Sequence, residues 1–165
     1  MQVIKPPTSL LLKDKRFKLF LGGSIEMGVA EMWQQKIEDA LKDLDCIVYN
    51  PRRDAWDSSW EQSLKEPRFV EQVEWELDAL DDANLVAMYF QPGTKSPISL
   101  LELGLQAEKQ RLEFKKHAAV CCPEGFWKKG NVDIICKRYN IALLESFDDF
   151  VKYLHIKTMF TTQPE

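Results

Sequence analysis

The sequence predicts an α/β domain built on a doubly wound parallel sheet. Short apolar runs alternate along the chain with segments in which apolar residues recur at helical spacing. No repeat, low-complexity tract or linker interrupts this alternation, and 165 residues are enough for one domain with its own core. We therefore expect a single folded domain over residues 17–157, preceded by an N-terminal extension over 1–16 and followed by a mobile tail over 158–165.

Five short apolar runs are the predicted strands. Each is bounded by turn-forming or polar residues, as is typical of strands in the middle of a sheet. The runs are residues 17–21, Cys46–Tyr49, Leu85–Tyr89, 118–121 and 141–144. Right-handed crossovers between them favour the strand order 2-1-3-4-5, which is the flavodoxin-like arrangement.

Helices are predicted between the strands, from apolar residues spaced three or four positions apart. Pro67 lies near the start of the second helix, where its fixed backbone geometry is favourable. Two shorter helices are predicted over residues 132–139 and 147–154. We expect three apolar stripes to face the sheet: Ala30, Trp33, Ile37, Leu41 and Leu44; Val70, Val73, Leu77 and Leu80; and Ile98, Leu101 and Leu105.

Glu102 is the most informative polar residue, because its helix directly follows the third predicted strand. It lies one turn after Ile98 and next to Leu101, on or beside the stripe that is expected to face inward. It is also near the helix N-terminus, where the helix dipole favours an anion. Open α/β sheets bind ligands at the carboxyl ends of their strands. Glu102 is therefore a candidate nucleophile, and a solvated surface glutamate is the alternative.

Two loops at the same edge of the sheet carry further candidates. Gly22, Gly23 and Ser24 follow the first strand, where a ligand can approach backbone amides, although a glycine turn that only clears space is equally consistent. The glycine spacing of dinucleotide-binding and phosphate-binding loops is absent. The loop after the second strand is rich in groups that can stack on a base, read its edge or bind a 5′-phosphate. They are Asn50, Arg52, Arg53, Asp54, Trp56 and Asp57, with local packing and ion pairing as the alternative.

Several separated motifs, taken in order, resemble the nucleoside 2-deoxyribosyltransferase-like family. They are NPRRD at 50–54, SPISLLELG at 96–104, CCPEGFW at 121–127 and GNVD at 130–133. The resemblance extends from about residue 17 to residue 154. It implies a flavodoxin-like fold and the transfer of a 2-deoxyribosyl group between nucleobases, with Glu102 as the nucleophile.

The resemblance also implies roles for other residues. Glu76 falls where the characterised transferases carry an active-site aspartate, so Glu76, or Asp54 or Asp57, would serve base recognition and proton transfer. The first loop would line the nucleoside site. Independently of the resemblance, Tyr89 ends the third strand, a position that fits either the border of the pocket or an aromatic cap on the strand.

Assembly is a further implication of the resemblance. In these transferases a neighbouring subunit supplies an asparagine to the site. Asn131 is its best counterpart here, with Asp133 close by, and a helix cap is the alternative role for Asn131. We therefore expect a homo-oligomer with a shared active site, in which Phe126 and Trp127 provide apolar interface anchors.

Paired carboxylates suit the cleavage of an N-glycosidic bond. One carboxylate can trap the anomeric carbon of the sugar covalently, and a second acidic group can protonate the leaving base. This chemistry needs no metal and no organic cofactor. The expected partners are a nucleoside or nucleotide and a free nucleobase. Two alternatives remain open: an N-glycosidase that hydrolyses (deoxy)nucleoside 5′-monophosphates, and a nucleotide-binding module without turnover.

Composition excludes several other classes of protein. The formal net charge of −4 argues against nucleic acid or an anionic membrane as the main partner. The four cysteines lack metal-ligand spacing, and the two histidines, His117 and His155, are too scattered to indicate a zinc site. We expect reduced, buried thiols and a cytoplasmic protein, since no signal-peptide core or membrane-length apolar run is present.

Overall fold

A computed structural model describes residues 1–26, 30–53, 57, 59–112 and 117–162 of the chain. The described residues form six strands and five helices. The strands are β1 (Gln2–Ile4), β2 (Phe17–Gly23), β3 (Cys46–Tyr49), β4 (Leu85–Tyr89), β5 (His117–Cys121) and β6 (Ala142–Leu144). The helices are α1 (Trp33–Leu41), α2 (Pro67–Asp82), α3 (Pro97–Leu112), α4 (Lys129–Tyr139) and α5 (Phe147–Thr162).

The strands form one parallel sheet in the order β1-β3-β2-β4-β5-β6. The five predicted strands correspond to β2 through β6, so their predicted order of 2-1-3-4-5 is confirmed, and the fold is flavodoxin-like. One apolar cluster joins α2, α3 and α4 to one face of the sheet. A second cluster joins α1 and α5 to the other face. The sheet is therefore doubly wound, with a core on each side.

The sixth strand, β1, was not predicted. It lies within the segment expected to be an N-terminal extension and adds to the sheet edge, where Val3 pairs with Val48 of β3. Just beyond β3, the Asn50 amide donates to the Ile4 carbonyl at 3.0 Å. A three-residue edge strand is too short to show the period-two pattern by which strands are found in a sequence.

The glycines after the first predicted strand are part of the strand itself. Gly22 and Gly23 pair in register with Met88 and Tyr89 of β4. Gly23 has a φ of 128°, and a Cβ there would lie 2.2 Å from the carbonyl oxygen of Tyr89. The close packing of two neighbouring strands therefore explains why this position requires glycine.

Two predicted helix faces are wrong. In α3 the stripe of Ile98, Leu101 and Leu105 is exposed. The residues that face the sheet are instead Ser99, Glu102, Leu103, Gln106 and Ala107. In α2, Leu80 is buried as predicted, but Leu77 is 39% exposed and the helix packs through Trp75 and Ala79. The physical reason is that both helices carry apolar residues around much of their circumference, so spacing alone does not select the inner face.

The last helix is longer than predicted. It was expected to end at residue 154 but continues to Thr162, because the side chain of Thr158 is fully buried and holds the additional turns against the domain. None of the helices in the described ranges is long and apolar enough to cross a membrane.

Candidate active site

The loops after β2 and β4 meet at the carboxyl edge of the sheet. The chain passes from β2 to β3 on one side and later places β4 on the other side, so the strand order reverses between β2 and β4, which is where open α/β sheets bind ligands. The Ser24 amide, just beyond β2, donates to the carbonyl oxygen of Tyr89 at 2.9 Å. The helix α3, which carries Glu102, begins at Pro97 on this side of the sheet.

Glu102 is buried, with 8% of its surface exposed. Burial is the main reason that its pKa rises from 4.5 to about 8, and the nearby Glu76 carboxyl raises it further. No hydrogen bond from a described residue contributes to that pKa shift. A buried carboxyl group of this kind is typical of functional sites, since a structural carboxylate is normally paired.

Glu76, on α2, is the acidic group whose charge acts on Glu102. Its Oε1 accepts a hydrogen bond of 2.7 Å from Gln72 Nε2, one helical turn earlier. Gln72 Nε2 also donates to the carbonyl oxygen of Pro51 at 3.0 Å, which fixes α2 to the loop after β3. Burial raises the pKa of Glu76, and the hydrogen bond from Gln72 partly offsets that rise.

Glu76 and Glu102 therefore form a coupled carboxyl pair. Because two neighbouring carboxylates repel each other in a water-poor environment, the charge of Glu76 raises the pKa of Glu102. A form of the pair with Glu102 ionised and Glu76 protonated can supply both a nucleophile and an acid. The structure thus brings together the two residues that the sequence singled out for catalysis.

Asn50 lies in a buried polar cluster beside the same edge. Its Nδ2 donates to Glu38 Oε1 at 2.6 Å, and its Oδ1 accepts from the Arg52 amide at 2.9 Å. Gln34 lies one turn before Glu38 on α1, with 1% of its surface exposed. Within the described part of the chain, both polar atoms of the Gln34 side chain are without a hydrogen-bond partner.

Sequence reasoning missed both Gln34 and Glu38. The signal that would have found them is their four-residue spacing beside Trp33 and Ile37, which places two polar side chains on the buried face of α1.

The loop after β3 gives mixed support to the predicted binding residues. Arg52 Nη1 donates to the Glu31 carbonyl oxygen at 3.3 Å. Arg53 Nη1 lies 3.1 Å from Glu71 Oε2, and its guanidinium lies over the ring of Trp60. Both arginines therefore have intramolecular partners.

Two aspartates of this loop, Asp54 and Asp57, are predicted binding residues, and the structure describes Asp57. Asp57 accepts a hydrogen bond of 2.9 Å from the Ser59 amide, and this contact lowers its pKa. Asp57 thus organises its own turn. Asp54, together with Trp56, lies outside the described residues.

Ser24 is fully buried within a group of hydroxyl side chains. Its Oγ lies 2.7 Å from both Thr94 Oγ1 and Ser96 Oγ, and it accepts from the Gln91 amide at 2.9 Å. Ser99 Oγ, on α3, donates to the Gly23 carbonyl oxygen at 2.9 Å. These contacts lock the loop after β2 to the start of α3. They give Ser24 a structural role, while a direct contact with substrate stays a prediction.

Tyr89 packs on the opposite side of the sheet from the carboxyl pair. Its ring meets Trp33 edge to face at 5.6 Å between centroids and lies 4.9 Å from Phe147. Burial raises the pKa of its phenol to about 12. Packing of the second core explains this residue, and its predicted place at the border of the pocket stays a prediction.

Asn131 and Asp133 lie on α4. The helix begins at Lys129, so Asn131 is inside its first turn and the alternative role as a cap is wrong. Asn131 is exposed beside a small apolar groove of about 350 Å³ that Gly104 and Trp127 also line. Asp133 pairs with Lys129 Nζ at 3.1 Å.

A larger cavity lies at the other end of the sheet. It measures about 600 Å³ and is lined by residues that precede or begin the strands, including Phe17, Leu85 and His117. Neither carboxyl group of the pair lines it. We place the site at the carboxyl edge because the acidic pair lies there. In the described ranges, no group of three or more metal-ligating side chains is present.

Comparisons with known proteins show a family and a shared fold. The model of the family described as nucleoside 2-deoxyribosyltransferase like matches residues 16–126, which include β2 through β5 and both acidic residues. A solved structure of a conserved protein from Enterococcus faecalis V583 superposes with a TM-score of 0.59 at 12% identity, covering 86% of this chain and 99% of the other. At that identity, the likeness shows the shared fold alone. No curated protein has a matching sequence.

Proposed function

The chain belongs to the nucleoside 2-deoxyribosyltransferase-like family, and we propose that it transfers a 2-deoxyribosyl group from one nucleobase to another through a covalent intermediate on Glu102. The observation that carries the proposal is the pair formed by the buried Glu102 and the half-buried Glu76, in which each pKa is raised. A carboxyl pair with a shared proton supplies both the nucleophile and the acid that cleavage of an N-glycosidic bond requires.

The reaction would proceed in two displacements. The Glu102 carboxylate attacks the anomeric carbon, the bond to the base breaks, and the Glu76 proton moves to the departing base. The acceptor base then attacks the same carbon, Glu76 takes the proton that this base releases, and Glu102 is freed. Gln72 holds the Glu76 carboxyl through the 2.7 Å hydrogen bond. Each displacement inverts the anomeric carbon, so the product keeps the configuration of the substrate.

The first prediction is base exchange. A panel of deoxynucleosides and their 5′-monophosphates is incubated with a free acceptor base, and products are separated by chromatography. We expect a new nucleoside that contains the acceptor base and retains the starting configuration. Free base and free sugar without exchange would identify a hydrolase. Binding without either product would identify a nucleotide-binding module.

An exposed apolar face on α3 bears on assembly. The residues Ile98, Leu101 and Leu105 follow the spacing of a helix-pairing seam and are 61%, 65% and 46% exposed. Trp127, 55% exposed, lies beside the groove between α3 and α4. Phe126 does not belong to this face, because it is buried against Phe90. Since apolar faces of this kind mark interaction surfaces, we propose that a second copy of the chain covers it.

The second prediction is an assembly with shared sites. Light scattering should give a mass well above that of the 19.2 kDa chain, and Leu101→Lys should reduce that mass by placing a charge in the seam. Mixing inactive Glu102→Gln with inactive Asn131→Ala subunits should restore activity. Mixed assemblies would contain pockets that have both Glu102 from one subunit and Asn131 from the other. A fully active monomer would contradict the proposal.

A further inference from the structure

The approach to α3 holds an anion supplied by the protein itself. The backbone amides of Lys95 and Ser96 both donate to Glu26 Oε1, at 2.5 and 2.7 Å. Ser96 has a left-handed φ of 46°, and turns of this kind aim successive amides at one point. Amides at the start of a helix are a general binding site for phosphate. Here the carboxylate of Glu26 occupies the place where a phosphate oxygen would bind.

The contact is held from several sides. Trp127 Nε1 donates to the Lys95 carbonyl oxygen at 2.9 Å, so the segment that carries the two amides is fixed from behind. The hydroxyl of Ser96 is engaged with Ser24 and Thr94. These hydroxyls are paired with each other, so the negative charge in this contact comes from the Glu26 carboxylate.

The position of Glu26 relative to Glu102 follows from helix geometry. Six residues separate Ser96 from Glu102, which is roughly 9 Å along a helix axis at 1.5 Å per residue. The Glu102 side chain leans back toward the helix N-terminus, which shortens that separation. In the proposed reaction Glu76 serves the base from the α2 side, so the 5′ end of a sugar held at Glu102 would lie on the side of the α3 N-terminus, where Glu26 binds.

The cations that the sequence offered for a phosphate are engaged elsewhere. Arg53 pairs with Glu71 and lies over the ring of Trp60. Arg52 donates to the Glu31 carbonyl oxygen. A 5′-phosphate would therefore meet the Glu26 carboxylate before it met an unengaged arginine of this loop. A neutral 5′-hydroxyl can instead donate a hydrogen bond to Glu26, whose Oε2 makes no hydrogen bond with a described residue.

We propose that Glu26 is a specificity-determining residue that makes the site accept deoxynucleosides and reject their 5′-monophosphates. This inference rests on the proposed function of the Glu102 site. Discrimination arises because a like charge faces the phosphate and because the two amides that would bind it are already used. This contact has no local signature in the sequence, since Glu26 and the two amides are 69 and 70 residues apart.

The test compares Glu26→Gln and Glu26→Ala with the parent, using a deoxynucleoside and its 5′-monophosphate. Glutamine keeps the shape and removes the charge, while alanine also vacates the two amides. We expect the parent to favour the nucleoside in kcat/KM, and each variant to reduce that preference by at least about tenfold. Glu31→Gln is the matched control, because Glu31 is an acidic residue of the same region whose side chain pairs with Lys36. It should leave the preference unchanged.

The outcomes separate this inference from the proposed function. Exchange with an unchanged preference in both variants would overturn the role of Glu26 and leave the proposed function standing. A parent enzyme that prefers the 5′-monophosphate would likewise overturn the role of Glu26 and leave the proposed function standing. If the parent turns over neither compound, the affinities of the same two ligands are compared by calorimetry. Tighter binding of the nucleoside than of the 5′-monophosphate, with a smaller difference in Glu26→Gln, would support the role of Glu26. Absence of binding by either ligand would overturn both.

Discussion

Glu102→Gln is expected to lose at least about a thousandfold in the rate of base exchange while keeping the fold, since an amide cannot form the glycosyl intermediate. A 2-fluoro-2-deoxy nucleoside should trap the parent enzyme and add the mass of one sugar to the peptide that contains Glu102. Glu108→Gln is the matched control on the same helix, because Glu108 is exposed and pairs with Arg111. It should retain parental turnover. A Glu102→Gln variant with parental turnover would remove Glu102 from the mechanism.

The stability of the same variant should depend on pH in a defined direction. Folding raises the pKa of Glu102 from 4.5 to about 8, so the folded state holds this proton more tightly than the unfolded chain does. Ionisation therefore favours the unfolded chain increasingly as pH rises from 4.5 to 8, and the full penalty applies above that range. Glutamine does not ionise. Glu102→Gln should melt well above the parent at pH 9 and close to it at pH 4, a difference that scanning calorimetry measures.

A pH-independent difference in melting temperature would contradict the burial of an ionisable Glu102. A higher stability at pH 9 together with the loss of turnover would show that the residue serves function at a cost in stability. That combination is expected of catalytic groups, whose environments disfavour their charged forms.

The strands were more predictable than the faces of the helices. Cys46–Tyr49 and Leu85–Tyr89 have the bounds that the sequence predicted, because a strand buried on both sides is a continuous apolar run with polar ends. β1 escaped prediction since a short edge strand depends on pairing with β3, a contact distant in sequence. The order of β2 to β6 followed from chain connectivity and the handedness of crossovers.

Glu102 was predicted to face inward for a reason that the structure contradicts. The argument placed it beside a stripe of Ile98, Leu101 and Leu105, yet that stripe faces outward. Glu102 is buried instead with Ser99 and Gln106, on a face where small and polar residues pack against the sheet and its loops. Hydrophobic spacing cannot identify a buried face that is polar, because it assumes that the apolar side of a helix is the buried side.

The polar contacts that shape the site were largely inaccessible from the sequence. Asn50 binds Glu38 across 12 residues, and Glu26 binds the amides before α3 across about 70 residues, so neither pair has a local signature. Gln72 and Glu76 are four residues apart, so their contact can be anticipated from the spacing of residues on one face of a helix. Tertiary structure decides which of many polar residues meet, and only the closest pairs in the sequence can be anticipated.

Glu76→Ala is expected to reduce turnover by roughly 10²- to 10⁴-fold, the range for removing a proton-transfer group. The loss should be smallest for a nucleoside whose base leaves readily without a proton, because that substrate does not need the acid. Glu74→Ala is the matched control, since Glu74 is exposed on the same helix. A loss of equal size for every leaving base would contradict proton transfer and indicate a positioning role for Glu76.

The pH profile of Glu76→Gln gives a second, independent measurement of the pair. In the parent, kcat/KM should fall with rising pH through an apparent pKa near 8, because the pair then loses the one proton that the departing base needs. Glutamine at position 76 removes the neighbouring carboxyl, which raises the Glu102 pKa, so Glu102 should ionise at lower pH and the residual activity should lack the falling limb near 8. The Glu102 pKa should not return to 4.5, because burial is the larger cause of the shift. A falling limb near pH 8 that persists in Glu76→Gln would show that the two carboxyl groups act independently, and the shared-proton mechanism would be wrong.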